Sequence, residues 1–380
     1  MTRLVIVGGA LAGHRAAVHA RRIDPELDIT VLGAEDELPY QRPPLSKGFL
    51  TGDVPENRVR LRGAGEGYRL LTPAPAVGLD LTRSEVVLEG AKEPFDLLVV
   101  ATGAHPRILG KFPPGDQVIY LRTLKDAIRL RDALGHNRHL TIIGGGFVGA
   151  EVAMSARHRG VDVVLVEQSQ HLLSRAVGSR VSRIVETHLQ DNGVTLALGR
   201  EVTQEFAGTQ RLISDGVTTW STDLIVIGVG VVPSTEWLDG ALPTRDDGGI
   251  AVTEFGLVAG FEQIAAVGDV ASWYHPLYGR PLRFEHFEVA THQAQHAVET
   301  LLGRGNTPYQ ELPFGWSDQG GLLIQFLGVP QSDLIEEEES AEDGRLFLYR
   351  RNERTEGAIL VNATDELTAV RERLISTLMS

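Results

Sequence analysis

Short β-branched apolar runs that break abruptly into glycine recur along this chain. Arg3–Val7 (RLVIV) runs into Gly8-Gly9-Ala10-Leu11-Ala12-Gly13. An Ala-rich segment with helical spacing follows to about Arg22, and Asp28–Leu32 (DITVL) reads as the next strand. The pattern then returns. Residues 140–143 meet Gly144-Gly145-Gly146-Phe147-Val148-Gly149, a helix is expected through about His158, and 161–166 reads as a strand. Strand, glycine turn, helix and strand in that order open a dinucleotide-binding unit, and here the unit occurs twice. Residues 95–100 form a buried-strand pattern ending in Ala101-Thr102-Gly103. A second such strand, 223–227, ends at Gly228-Val229-Gly230, and 263–267 leads into Gly268-Asp269.

A polar, Gly- and Pro-containing stretch around 302–313 marks a last boundary. Beyond it lie alternating apolar runs at 322–327, 345–349 and 358–361 and a final helix at about 365–378. The pattern predicts an α/β protein with two Rossmann-like domains and a C-terminal α+β domain. The acidic run 336–339 reads as a solvated loop or sheet edge.

Composition narrows the chemistry. The 380 residues, 42% apolar and 23% charged, provide for two or three globular domains. A net charge of −14 argues against nucleic acid as the partner, because phosphate binding needs clustered cations. Cysteine is absent, which removes disulfides, thiolate nucleophiles and cysteine-held clusters from this chain. Any redox chemistry must therefore reside in a bound cofactor. The N-terminal stretch lacks the apolar core of a signal peptide, and no run approaches the ~20 apolar residues of a membrane span. A cytoplasmic protein, with no membrane partner, is the expectation.

In G-x-G-x-x-G the first glycine makes the tight turn, the second admits the pyrophosphate, and the third lets helix and sheet pack closely. An acid at the end of the next strand can accept the ribose hydroxyl protons, and Glu35 and Glu167 stand there, 27 residues after Gly8 and 23 after Gly144. The second turn has all three glycines. In the first, Ala10 replaces the second glycine, and its methyl narrows the approach to the phosphates. Two structural turns without ligands are the competing reading.

Other segments add specificity. Arg42-Pro43-Pro44-Leu45-Ser46-Lys47, Tyr120-Leu121-Arg122-Thr123, Ala266-Val267-Gly268-Asp269-Val270-Ala271, Arg283-Phe284-Glu285-His286-Phe287 and Trp316-Ser317-Asp318-Gln319 resemble signature segments of one group of flavoproteins. These are the FAD-dependent NADH:ferredoxin reductases of cytochrome P450 and ring-hydroxylating dioxygenase systems, together with apoptosis-inducing-factor-like proteins. The resemblance spans essentially the whole chain. Departures are Ala10, Ala34, Phe287 and Gly320-Gly321.

The resemblance implies a discontinuous FAD domain (1–108 and 239–308), an inserted NAD domain (109–238) and a C-terminal domain (309–380). By the same resemblance Gly8, Ala12, Gly13, Glu35, Arg42, Lys47, Val77, Ala101, Thr102, Gly103, Arg122, Gly268, Asp269 and Phe287 would line FAD. Gly144, Gly146, Phe147, Val148, Gly149, Glu151, Glu167 and Gly230 would serve NAD. Lys47 would stand near flavin N5, where a cation stabilises the anionic reduced flavin, with Glu151 as its partner. Read without the resemblance, Lys47 is a solvated surface residue and Glu151 an acid favoured by a helix N-terminus. Glu167 favours NADH over NADPH, since a 2′-phosphate would meet a carboxylate; the nearby Arg175 complicates this. His292 and His296 share a helix face without a third ligand, so no metal is expected.

The implied activity is hydride transfer from NADH to FAD, then single-electron transfer to a separate iron–sulfur ferredoxin. The alternatives are an NADH oxidase or diaphorase and an NADH-responsive redox sensor. Trp316 is nominated either to line the electron exit or to pack the C-terminal domain. Arg58, Arg60 and Arg62 are read as alternate residues on a strand, sharing one basic face for the partner.

Overall fold

Each predicted strand–glycine–helix segment folds as such in the computed structural model, which describes every residue except Arg175, Gly208, Thr209, Ser332, Asp333, Ser340, Glu342 and Ser380. The chain divides into two units, one of residues 1–41, 60–105 and 232–315, the other of 42–59, 106–231 and 316–380.

In the first unit the apolar runs become a five-stranded sheet in the order Ile264–Ala266, Leu97–Val100, Arg3–Val7, Asp28–Leu32, Arg69–Leu71. Every pairing is parallel. Continuous apolar strands suit such a sheet because both faces are covered. Leu4, Ile6, Val31, Leu98 and Val99 are all buried. Helices Leu11–Ile23 and Phe287–Leu301 pack on each other, and Ala16, Ala20, Ala294 and Ala297 carry the sheet's core between them. An antiparallel meander, Ala76–Asp80, Glu85–Leu88 and Ala91–Pro94, adds Val86 to the same core.

The second unit repeats the plan. Its parallel sheet runs Val194–Leu198, Asp162–Glu167, His139–Ile143, Leu224–Ile227, Val118–Tyr120. Helix Phe147–His158 follows the second glycine turn, and helix Leu124–Leu134 starts with a capping box between Thr123 and Asp126. An antiparallel trio, Thr203–Ala207, Gln210–Ser214 and Thr219–Thr222, was not foreseen from the sequence.

The C-terminal sheet is ordered Phe314–Asp318, Leu323–Gly328, Arg354–Val361, Arg345–Arg351, Ile335–Glu339, with helix Leu367–Met379 against it. The acidic run is therefore the outermost strand, and its charges are partnered. Glu336 accepts from the Tyr349 hydroxyl (3.0 Å) and the Arg180 amide (3.2 Å). Arg350 pairs with Glu337 at 3.2 Å, Arg345 with Glu338 at 2.7 Å and Arg373 with Glu339 at 2.6 Å.

One expectation is corrected. Arg58, Arg60 and Arg62 do not share a strand, because Glu56–Val59 is a helical turn and Arg60 joins only an isolated bridge to Tyr40. Arg60 is also ion-paired with Glu37 at 3.2 Å. The alternation that suggested a strand is real as burial, with Val59 and Leu61 inside, but it lacks a ladder partner. Among the described residues no helix is long and apolar enough to cross a membrane.

Candidate functional site

The first glycine turn lies at the carboxyl end of its sheet. Gly8 takes φ +122°, and a Cβ there would lie 2.1 Å from the Ala101 carbonyl oxygen. A Cβ on Gly13 would lie 1.8 Å from the Gly8 oxygen, so helix Leu11–Ile23 starts directly against the turn. Ala10 is the extended N-cap residue and offers no side-chain cap. The first amides of that helix are thus left for a ligand's oxygens. Gly268, at φ +73°, approaches Ala12 closely enough that a Cβ would stand 3.4 Å from the Ala12 methyl. Its amide is held by Gln293 Oε1 at 3.0 Å.

Around this turn the Thr102 hydroxyl donates to the Ser234 carbonyl (2.8 Å), and the Ser234 amide donates to Gly103 (3.0 Å). Glu35 accepts the Tyr40 hydroxyl at 2.5 Å. Arg283 donates to the Asp269 carbonyl oxygen at 3.1 Å. Phe287 opens helix Phe287–Leu301, with His286 as N-cap residue. Burial pushes the His286 imidazole down to about 4, although the Asp269 charge opposes it. Gly8, Ala12, Ala101, Thr102 and Gly268 therefore come together where strands of one sheet end, the position at which open α/β sheets bind ligands. Val77 sits half-exposed on the meander. Arg42, Lys47 and Arg122 belong to the other unit, where Arg42 donates to the Arg122 carbonyl at 2.5 Å.

The second turn reproduces the first. A Cβ on Gly144 would lie 2.3 Å from the Gly228 oxygen, and one on Gly149 would lie 2.1 Å from the Gly144 oxygen. Gly146, the counterpart of Ala10, is different: the nearest atom to its would-be Cβ is 3.9 Å away. The space kept clear there is available to a ligand. A cavity of about 730 Å³ opens from this turn, lined by Gly144–Phe147, Glu167 and Gly230 among others. Gly145 and Ser169 both donate backbone N–H groups to the Glu167 carboxylate, each at 2.7 Å. Val148 is exposed, Gly149 is packed against the turn, and neither lines the cavity. Arg107, Lys111 and Arg200 do line it and were not foreseen, because nothing in their spacing links them. Arg175 lies outside the described residues.

These cradles test the two nucleotides on this chain's own atoms. Both turns bring backbone where any side chain would collide, and one opens onto a cavity with a fixed carboxylate. That is the donor and acceptor set a pyrophosphate and a ribose require.

A third cluster forms within the second unit. Glu151, on helix Phe147–His158, is 5% exposed and meets Lys47 Nζ at 2.8 Å. The Ser46 hydroxyl donates to the same carboxylate oxygen at 2.5 Å, and the Ser317 hydroxyl donates to the other at 2.6 Å. The turn Pro43–Ser46 delivers Ser46 and Lys47, and Lys47 Nζ also donates to the Pro43 carbonyl at 3.1 Å. Trp316 is half-buried on strand Phe314–Asp318, next to Ser317. His296 packs edge-on against Trp273 at 6.0 Å, consistent with an ordinary helix-face residue.

The family model described as pyridine nucleotide-disulphide oxidoreductase matches residues 2–299. The ferredoxin–NAD(+) reductase component of the p-cumate 2,3-dioxygenase system of Pseudomonas putida is 32% identical over 380 residues, covering 98% of this chain and 92% of that protein. Rhodocoxin reductase of Rhodococcus erythropolis is 37% identical over 340 residues, covering 86% and 78%. Among solved structures, the covalent putidaredoxin reductase–putidaredoxin complex superposes with a TM-score of 0.91 at 29% identity, covering 99% of this chain and 93% of that one.

Proposed function

The chain belongs to the pyridine nucleotide-disulphide oxidoreductase family, and on that premise we propose that it is an FAD-dependent NADH:ferredoxin oxidoreductase. It takes electrons from NADH and delivers them singly to a separate [2Fe-2S] or similar ferredoxin that serves a cytochrome P450 or ring-hydroxylating dioxygenase. The observation that carries this reading is the pairing of two glycine cradles of one geometry with a chain that has no cysteine. Without a cysteine pair the protein cannot hold the electrons in its own disulfide. When bound, FAD supplies the conversion from two-electron to one-electron transfer.

The residues divide the work. The discontinuous domain 1–108 and 239–308 holds FAD through the first turn and the segments 101–103 and 268–269. The domain 109–238 holds NAD through Gly144, Gly146 and Phe147, with Glu167 on the adenosine ribose. Residues 309–380 contribute Trp316 near the electron exit. Lys47, steadied by Glu151, places a cation for the reacting end of the flavin. The compartment proposed for it is the cytoplasm, where NADH would be at hand.

The test is NADH-dependent reduction of cytochrome c with and without an added [2Fe-2S] ferredoxin. Turnover that requires the ferredoxin supports the reading. Rapid NADH consumption that is indifferent to it, with oxygen as the acceptor, would make the protein an oxidase instead.

A further inference from the structure

The buried polar group around Glu151 contains more than the Lys47–Glu151 pair. Glu151, Ser46, Ser155, Ser317 and Gln319 are each no more than 5% exposed. They come from three separated stretches: a turn near residue 46, the helix of the second glycine cradle, and the end of the first strand of the C-terminal sheet with the bend that follows it.

The directions of these hydrogen bonds are forced. An ammonium only donates and a carboxylate only accepts. The hydroxyls of Ser46 and Ser317 must therefore both point their protons at Glu151, at 2.5 and 2.6 Å. Having given its one proton, Ser317 can only accept from its other neighbour, which is Gln319 Nε2 at 3.3 Å. The Gln319 amide is thereby oriented, and its Oε1 is left buried with no hydrogen-bond partner among the described residues. An unpaired buried carbonyl is a cost that a native fold rarely leaves without a reason. Turned the other way, the amide would set its oxygen against the Ser317 oxygen, whose proton is already on Glu151, so Nε2 is the end that suits this hydroxyl. The bend after that strand is fixed by His188 Nε2, which donates to the Gln319 main-chain oxygen at 2.7 Å. Ser155 likewise fixes the Ser46 carbonyl at 2.8 Å.

We propose that Ser317 is a positioning residue of the NADH half-reaction. Its hydroxyl, oriented by Gln319, pins one oxygen of Glu151 so that the other stays on Lys47. The idea rests on the reading of Lys47 given above, but it assigns work to a hydroxyl on a different strand. The C-terminal sheet thus sets the geometry of a cation carried by the turn near residue 46.

The test uses the FAD-loaded protein, with Ser317→Ala, Ser317→Thr, Glu151→Gln and the double variant Ser317→Ala/Glu151→Gln. Ser317→Ala is expected to slow flavin bleaching by NADH by about tenfold, the share of one charge-assisted hydrogen bond. Bound FAD should remain stoichiometric, and Ser317→Thr should restore the rate. The midpoint potential of the bound flavin should move in the same direction as in Lys47→Ala. In the Glu151→Gln background, removing the Ser317 hydroxyl should cost nothing further, because its effect passes through the carboxylate. An equal slowing in both backgrounds would overturn the proposal. So would an unmoved potential in Ser317→Ala when Lys47→Ala shifts it, and in both cases the reading of Lys47 would survive. If Lys47→Ala changes neither rate nor potential, that reading fails and the proposal falls with it.

Discussion

Gly145 donates its backbone N–H to the Glu167 carboxylate at 2.7 Å, tying the acid to the turn it serves. With Ser169 on the other oxygen, the carboxylate is held by both ends while it lines the cavity. A 2′-phosphate would meet this fixed negative charge, so a preference for NADH over NADPH is the expected outcome. Glu167→Gln should narrow the preference for NADH over NADPH by about 1–2 kcal/mol, measured as the ratio of kcat/KM values. A wild-type protein that favours NADPH would refute the assignment.

Gly146 and Gly149 separate ligand clearance from packing. A methyl at 146 meets only the Gly228 oxygen at 3.9 Å, whereas one at 149 would lie 2.1 Å from the Gly144 oxygen. Gly146→Ala should leave the thermal midpoint alone and raise KM for NADH. Gly149→Ala must push the helix off the turn, with a loss of roughly 3 kcal/mol or more in thermal unfolding. Equal midpoints for the two variants would contradict the geometry.

Lys47→Ala removes the cation paired with Glu151 and leaves two hydroxyls on the carboxylate. Flavin bleaching by NADH should slow while FAD stays bound, and Lys47→Arg should recover part of the rate. Stopped-flow traces unchanged in Lys47→Ala would return this lysine to the ordinary surface.

His275 predicts an acid sensitivity. The ring is 1% exposed, and Nε2 contacts the Glu311 carbonyl at 3.1 Å, so the neutral tautomer carries its proton there. Burial pushes this imidazole down to about 4 from an ordinary 6.5. Between those values the unfolded chain binds the extra proton and the folded one does not. The contribution is therefore complete above about pH 6.5 and is lost as pH falls toward 4, by up to roughly 3 kcal/mol. Thermal melts from pH 7.5 to 4.5 should show the decline, and His275→Gln should make it shallower, leaving the share of His286, which burial likewise pushes down to about 4. A variant with the wild-type slope would assign the acid loss to other groups.

Much of the fold was legible because the two glycine turns carry their reasons in sequence. Gly8, Gly13, Gly144 and Gly149 are required by backbone collisions that no side chain avoids, and the flanking strands are apolar because their sheets are covered on both faces. The Lys47–Glu151 pairing was accessible only through a family resemblance. Ser46 and Ser317 were written inside two recognised segments, yet nothing in one dimension says that both hydroxyls reach one carboxylate. The arginines at 58, 60 and 62 misled for the opposite reason. Alternation records which side chains are inside, while a strand also needs a neighbour to hydrogen-bond, and that neighbour is a tertiary fact. The cations at 107, 111 and 200 converge on the cavity in the same way, through folding alone.

The outermost strand of the C-terminal sheet, Ile335–Glu339, bears on how the protein behaves when crowded. Such a strand has unsatisfied main-chain groups along one side and invites the corresponding strand of a second molecule. Four consecutive glutamates sit on this one, each locked to a partner on its own chain. A second copy arriving in antiparallel register would bring glutamates against glutamates. It would also find the arginines that could neutralise them already engaged. The run read as a solvated sheet edge thus guards this edge of the sheet against pairing with a second copy.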